Sequence, residues 1–373
     1  MSESDEQENA GQAGSSGEEK MEPTIEEWTA LYNAAIDLKA MKCWEWMHED
    51  EIFGVKNLET GEIAYISIMG EIGQVYSIKA YLGADGLSSF YGLMECNDQD
   101  EAMQIFLNLN CLVASFDNRE DLHKKDLEII KSLGLKFRGK KQWPRFRSQR
   151  PGHVPWFLNA AECRFLTAII RQTMVVADRC RDSNDAIIAK SDQLLIRTLE
   201  GSGVSAEWCD VYSPVTNPSR TYTSYSLTDE LNVHKMIKAA KKTHAIWEAD
   251  TFYLMAPIVE KKGVRPYMPT VFLIVENEDT MIIGYELISS MAEDAVKCFD
   301  GLVETIERTE SIPRAVVVEK EELFYCLIDV CKQLGIELKL VDKLKLLPKI
   351  RTEVSQFKKD AMLRNSMNNG DIK

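Results

Sequence analysis

The order of apolar runs in the last third of the chain constrains its fold more than any other feature. Runs at 247–258, 270–276 and 281–288 are short, rich in β-branched and aromatic residues and separated by turn-forming stretches, which predicts three consecutive strands. Helical spacing at 291–308 and 321–334 then alternates with strand-like runs at 314–319 and 336–341, and a last helix is expected over 349–363. Strands joined through helices run parallel, whereas the first three can follow one another antiparallel through short turns. The sum is a layered α/β domain with a mixed sheet.

The opening of the chain has a different pattern. Thr24 stands where an N-cap belongs, Glu26 and Glu27 fall in the first turn, and Ile25, Trp28, Leu31, Tyr32, Ala35 and Leu38 recur at helical spacing. From 51 to 83, three β-like runs break at Glu59-Thr60-Gly61 and at Gly70-Glu71-Ile72-Gly73, which predicts an antiparallel meander. Trp44, Trp46 and the series Tyr65, Tyr76 and Tyr81 read as its packed and half-exposed faces. Helices near 86–95, 98–108 and 118–133, with the strand CLVASF among them, complete an α+β unit over 23–137. Residues 138–154 read as a basic linker. Beyond it, Asn159 and Glu162 form a capping-box pair for a helix reaching about 180, and the strands QLLIRTL and SAEWCDVY and a basic helix at 229–242 are assigned to the second unit, 155–363. Residues 1–22, which are acidic, and 364–373 carry too little apolar material to offset ordering entropy and are expected to be disordered tails. The expected class is therefore α+β, an N-terminal helix plus antiparallel meander followed by a larger α/β domain.

Charge narrows the function classes. With 44 Lys and Arg against 59 Asp and Glu, the net charge of −15 repels polyanions, so any nucleic-acid contact needs a local basic patch. No apolar stretch approaches the ~20 residues of a membrane span, and the N-terminus lacks the basic start and apolar core of a signal peptide, so a cytoplasmic location without membrane contact is expected. The 9 cysteines form no CxxC pair and, like the 5 histidines, show no zinc-ligand spacing, which reads as free thiols in a reducing compartment and no resident cofactor. GxGxxG after a strand, GxxxxGK[ST], HExxH and GxSxG are all missing from the sequence.

The order of elements from 247 onward is similar to the ribonuclease H-like fold of integrases and transposases. Those cores carry a Trp with an Asp three residues on, a Pro with a catalytic Asp six residues later and a Phe five further, and a Glu on the last helix. Trp247 and Asp250 match the first pair, Pro313, Glu319 and Phe324 match the second set in spacing, and Glu353 falls on the expected last helix. The resemblance implies Asp250, Glu319 and Glu353 as catalytic carboxylates, with Asp250 and Glu319 as ligands of Mg or Mn in phosphodiester chemistry of the nuclease or transposase kind, because such chemistry needs converging carboxylates around divalent ions. Two departures weigh against it: the second acid is Glu, and Lys320-Glu321 replaces the family's Asn-Gly. The same residues also read as a strand-end Glu, a solvated helix Glu and an Asp in a sheet turn, with a degenerate, non-catalytic version of the fold in between.

A second candidate is the stretch 131–150, where Lys131, Lys136, Arg138, Lys140, Lys141, Arg145, Arg147 and Arg150 occur without one acid and are interleaved with Phe137, Trp143 and Phe146. Cations for phosphates and aromatic faces for unstacked bases are what a single-stranded nucleic-acid groove requires, which makes Arg138, Lys140, Lys141, Trp143, Arg145 and Arg147 the candidate contacts. A solvated linker with packed aromatics, or a basic surface docked on the chain's own acidic tail, accounts for the same residues.

The stretches EWTALYNAAIDLKAMKCWEWM and GEIAYISIMGEIGQVYSIKAYLGADGL resemble a bacterial domain family of unknown function with a Met-Gly-x-x-Gly turn, and QRPGHVPWFLNAAECRFL through RPYMPTVFLIVEN resembles a second uncharacterised bacterial domain. These resemblances imply two domains meeting near 140 and a prokaryotic cytoplasmic origin, and they bring no activity. The expected function is non-catalytic binding or regulation through an unidentified protein or nucleic-acid partner, with metal-dependent nuclease chemistry as the alternative.

Overall fold

Thr24 and Glu27 cap the first helix reciprocally: the Glu27 amide donates to Thr24 Oγ1 at 3.2 Å and the Thr24 amide donates to Glu27 Oε2 at 2.8 Å. The helix they start, α1 (Ile25–Met41), buries Trp28, Leu31, Tyr32, Ala34, Ala35 and Leu38 and leaves Ile25 exposed. The computed structural model describes residues 21–181, 189–190, 193–201, 207–214, 222–278, 280–289 and 291–351. Nearly all of both expected tails, 1–22 and 364–373, lies outside these.

The chain divides into one unit of residues 1–151 with 155–219 and another of 152–154 with 220–373. In the first, the expected meander is β1 (Phe53–Lys56), β2 (Ile63–Met69) and β3 (Ser77–Leu82). It is followed by α2 (Gly83–Glu95), α3 (Gln99–Leu107), β4 (Cys111–Asp117), α4 (Lys124–Ser132), β5 (Trp143–Gln149) and α5 (Ala160–Cys180). Then come β6 (Ala189–Lys190), β7 (Gln193–Glu200) and β8 (Glu207–Pro214). The sheet order is β5-β4-β3-β2-β1-β7-β6, with β8 also paired along β7, and all pairings are antiparallel except β1 with β7. Period-two alternation sends Ala64, Ile66 and Ile68 of β2 to the face covered by α1 and α5, while Tyr81 and Cys111 face Leu87 and Phe90 of α2 on the other side. Asn159 caps α5, its Oδ1 accepting from the Glu162 amide at 2.8 Å as expected.

Two expectations differ here. The stretch read as a linker, 138–154, contains β5, whose alternation of Pro144, Phe146 and Ser148 with Trp143, Arg145 and Arg147 is that of a strand paired to β4. Helix α5 and the strands QLLIRTL and SAEWCDVY, placed by the sequence in the second unit, belong to the first. The reason is a long-range parallel pairing: Gly54 of β1 lies against Ile196 of β7 so closely that a Cβ would come within 2.3 Å of Ile196 Cδ1. No local pattern announces that contact.

The second unit contains α6 (Glu230–Ala239), β9 (Lys241–Lys242), β10 (Ile246–Tyr253), β11 (Thr270–Glu276), β12 (Met281–Ile288), α7 (Met291–Asp294) and α8 (Val296–Thr309). It continues with β13 (Ser311–Ile312), β14 (Ala315–Val318), α9 (Glu321–Leu334) and β15 (Glu337–Leu340). Strands β12, β11 and β10 are antiparallel neighbours, and β14 and β15 extend the sheet in parallel, giving the order β12-β11-β10-β14-β15. Trp247, Ala249, Phe272, Ile274 and Val316 pack with residues of α8 and α9 on one face. Phe252, Leu273 and Val275 pack with Leu344, Leu347 and Ile350 on the other. Most of the helix expected over 349–363 lies outside the described residues, among which no helix is long and apolar enough to cross a membrane.

Candidate functional site

Strand alternation on β10 sends Trp247 and Ala249 into the core under α8 and α9, and so turns Glu248, Asp250 and Phe252 toward the segment 341–351. On β14 the paired register runs Glu248 opposite Val317, which places Asp250 level with Glu319 just beyond the last paired residues. Two of the three expected carboxylates thus stand level with each other, Asp250 within β10 and Glu319 just past the end of the adjacent parallel β14. The third, Glu353, lies outside the described residues. Pro313 is buried just before β14, and Phe324 of α9 packs beside the core.

Each acid in this row is committed to the protein itself. The Asp250 side chain is fully buried, with the Arg351 guanidinium hydrogen-bonded to Oδ2 and the Lys320 ammonium 3.3 Å from Oδ1. Lys320 also donates to the Thr251 carbonyl, and the Arg351 guanidinium lies 5.7 Å from the Phe252 ring centroid. Glu319 Oε2 accepts the Leu344 amide at 3.1 Å. Glu248, unremarked in the sequence, accepts the amides of Lys345, Leu346 and Leu347 at 3.2, 2.9 and 3.1 Å, tying the 344–347 segment to β10.

A two-metal centre needs carboxylate oxygens free to converge on cations. Here protein cations already occupy the position in front of Asp250, so the residues present do not suit a divalent ion, and among the described residues no group of three His, Cys, Asp or Glu is arranged to hold one. Lys320 was visible in the sequence as a departure from the Asn-Gly pattern. That it serves as a counter-ion for Asp250 depends on β10 and β14 being neighbours.

The basic stretch of the first unit is also largely internal. Arg147 makes a bidentate pair with Asp126 at 2.8 and 2.6 Å and donates to the Phe146 carbonyl, with both charged side chains buried. Arg145 pairs with Asp117 at 3.1 Å, and Arg150 pairs with Glu162 at 3.2 Å. Lys141 donates to the Gly73 carbonyl at 2.6 Å. Phe146 is buried in the core, and Phe137 and Trp143, 5.8 Å apart between ring centroids, pack against it. Arg138 and Lys140 of the candidate contacts are exposed, as are Lys131 and Lys136. The aromatic faces a base would stack on are therefore turned inward, and of the six candidate contacts only Arg138 and Lys140 are left exposed.

A family model for a domain of unknown function (DUF7309) matches residues 28–197, and one for a second domain of unknown function (DUF6930) matches residues 232–355. The gap between the two matches falls around the division near 220. No curated protein matches the chain.

Proposed function

We propose that this chain, a tandem of two domains of unknown function, is a non-catalytic binding protein whose second unit is a ribonuclease H-like module with its acidic site closed by protein cations. The observation that carries the reading is the clamp on Asp250, where Lys320 and Arg351 supply the positive charge that divalent ions supply in an active member of that fold. The order of the five strands, with three antiparallel strands followed by two parallel ones, supports the fold assignment. A bacterial cytoplasmic setting belongs to the same reading, supported by 9 cysteines that are all free, 7 of them buried.

Glu319, level with Asp250, favours the nuclease alternative, and one assay separates the two. Labelled single-stranded DNA, duplex DNA and RNA are incubated with the protein at low salt, with and without manganese, and resolved on native and denaturing gels. Intact probe under every condition is expected. Metal-dependent cleavage abolished by Asp250→Asn would overturn the proposal, and a retarded probe would be traced to Arg138 and Lys140 by changing both to Glu.

A further inference from the structure

In the second unit, the apolar row of β11 continues onto β12, and there it is exposed. The register sets Ile282, Tyr285 and Leu287 of β12 opposite Val275, Leu273 and Val271 of β11, and opposed residues of an antiparallel pair share a face. Val271, Leu273 and Val275 are buried in one cluster with Phe252, Leu344, Leu347 and Ile350. Ile282, Tyr285 and Leu287 are instead 47%, 70% and 56% exposed. The strand that carries them ends the strand order of the sheet, and its one charged residue, Glu286, lies opposite Phe272 on the other face. An edge strand with an uncharged apolar stripe is a surface that proteins normally cover.

The chain carries a matching cover. Residues 347–351 are helical, with Pro348 in the first turn, where its missing amide costs nothing. This turn lies on the same face of the sheet: Leu347 and Ile350 belong to the cluster, and the Arg351 guanidinium reaches Asp250 and the Phe252 ring on β10. In the sequence that follows, Val354, Phe357 and Ala361 prolong the spacing of Leu347 and Ile350, and every residue between them is polar or charged. A helix advances about 10 Å between positions 350 and 357, and neighbouring strands are about 4.8 Å apart, so an apolar face that starts over β10 is long enough to reach β12. The pattern ends at Leu363, before the polar run Arg364-Asn365-Ser366.

We infer that the β12 stripe is a docking surface for the chain's own C-terminal segment, 352–363. The segment continues the helix begun at 347 and lays Val354, Phe357 and Ala361 on Ile282, Tyr285 and Leu287, which extends the cluster under Leu347 and Ile350 to the edge of the sheet. Burial of the Phe357 ring and of the three β12 side chains drives the contact. Arg351 stands on the first turn of the same helix, so docking also fixes the guanidinium in front of Asp250. The contact itself is independent of whether the acidic site admits a metal ion.

The test replaces Tyr285 by the photo-cross-linker p-benzoylphenylalanine in the full chain, irradiates an equal mixture of light and heavy-nitrogen-labelled protein, and maps linked peptides by mass spectrometry. Links from position 285 to residues 354–361 of the same chain are expected. The same reagent at Met281, which is exposed but lies opposite Glu276 on the other face of β12, should not link to that segment. Phe357→Asp should suppress the links from 285 and speed amide exchange over 350–361 by at least about tenfold, whereas Gln356→Asp, one position off the apolar stripe, should change neither. Links that join light to heavy chains would assign the stripe to a second copy and overturn the proposal. It would equally be overturned by the lack of any link from 285 to 354–361, or by exchange over 350–361 that is the same in wild type and Phe357→Asp.

Discussion

Replacing Arg147 by Ala should weaken the first unit by several kcal/mol, and the structure sets the size of the effect. Asp126 accepts two hydrogen bonds from the Arg147 guanidinium at 2.8 and 2.6 Å and one from the His123 amide at 2.9 Å, so its carboxylate is buried with the guanidinium as its only neutralising partner among the described residues. Removing that partner leaves an uncompensated buried charge, which costs about 3–5 kcal/mol. For a unit of this size that corresponds to a fall in Tm of roughly 6–20 °C. Urea unfolding followed by far-ultraviolet circular dichroism measures the loss, with Arg138→Ala as the exposed control, expected within about 0.5 kcal/mol of wild type. The double change Arg147→Met with Asp126→Leu should be milder than Arg147→Ala, because it removes both charges together. If Arg147→Ala retained wild-type stability, Arg147 would not be a structural counter-ion, and its assignment to the interior of the fold would be refuted.

Other consequences follow from single contacts. Gly54→Ala sets a methyl 2.3 Å from Ile196 Cδ1 and should destabilise the first unit by about 1–3 kcal/mol in urea titration, with Gly92→Ala in α2 as a control where the nearest atom, Ile105 Cδ1, lies at an ordinary contact distance of 3.5 Å. Glu248→Ala strips three amides of their acceptor and should cost about 1–3 kcal/mol, with amide exchange at 345–347 accelerating more than in the sheet. Hydrogen bonds from Ser289 and then Lys297 hold Asp294 down at about 2 in the folded state. Because that value is depressed, the stabilisation is complete above the unfolded aspartate range and is lost as pH falls from about 4 toward 2, and Ser289→Ala should flatten stability against pH across that window.

What the sequence disclosed depended on how local the cause was. The caps at Thr24 and Asn159, the meander and the helix 321–334 rest on contacts a few residues apart, and their patterns are visible in the chain. The extent of the first unit rests on β1 meeting β7 across some 140 residues, and the alternation within QLLIRTL is the same whichever sheet receives it. The segment 131–150 reads as a charge run because its acids, Asp117, Asp126 and Glu162, lie outside it. At the candidate site, Asp250 and Glu319 were found through a resemblance. Glu248, two residues earlier on the same face of the strand, could have been found by alternation alone. Arg351 carries no pattern in the sequence, since its partner Asp250 comes from a separate element.

Manganese titration bears most directly on the closed acidic site. Thermal unfolding and calorimetric titration are run on the wild-type protein and on Asp250→Asn, with millimolar manganese or magnesium. With Lys320 and Arg351 holding Asp250, the two proteins should respond alike, showing no saturable binding and no metal-dependent rise in Tm. Saturable binding that raises the wild-type Tm and disappears in Asp250→Asn would mean that the cations yield to a metal ion and that the acidic site is open.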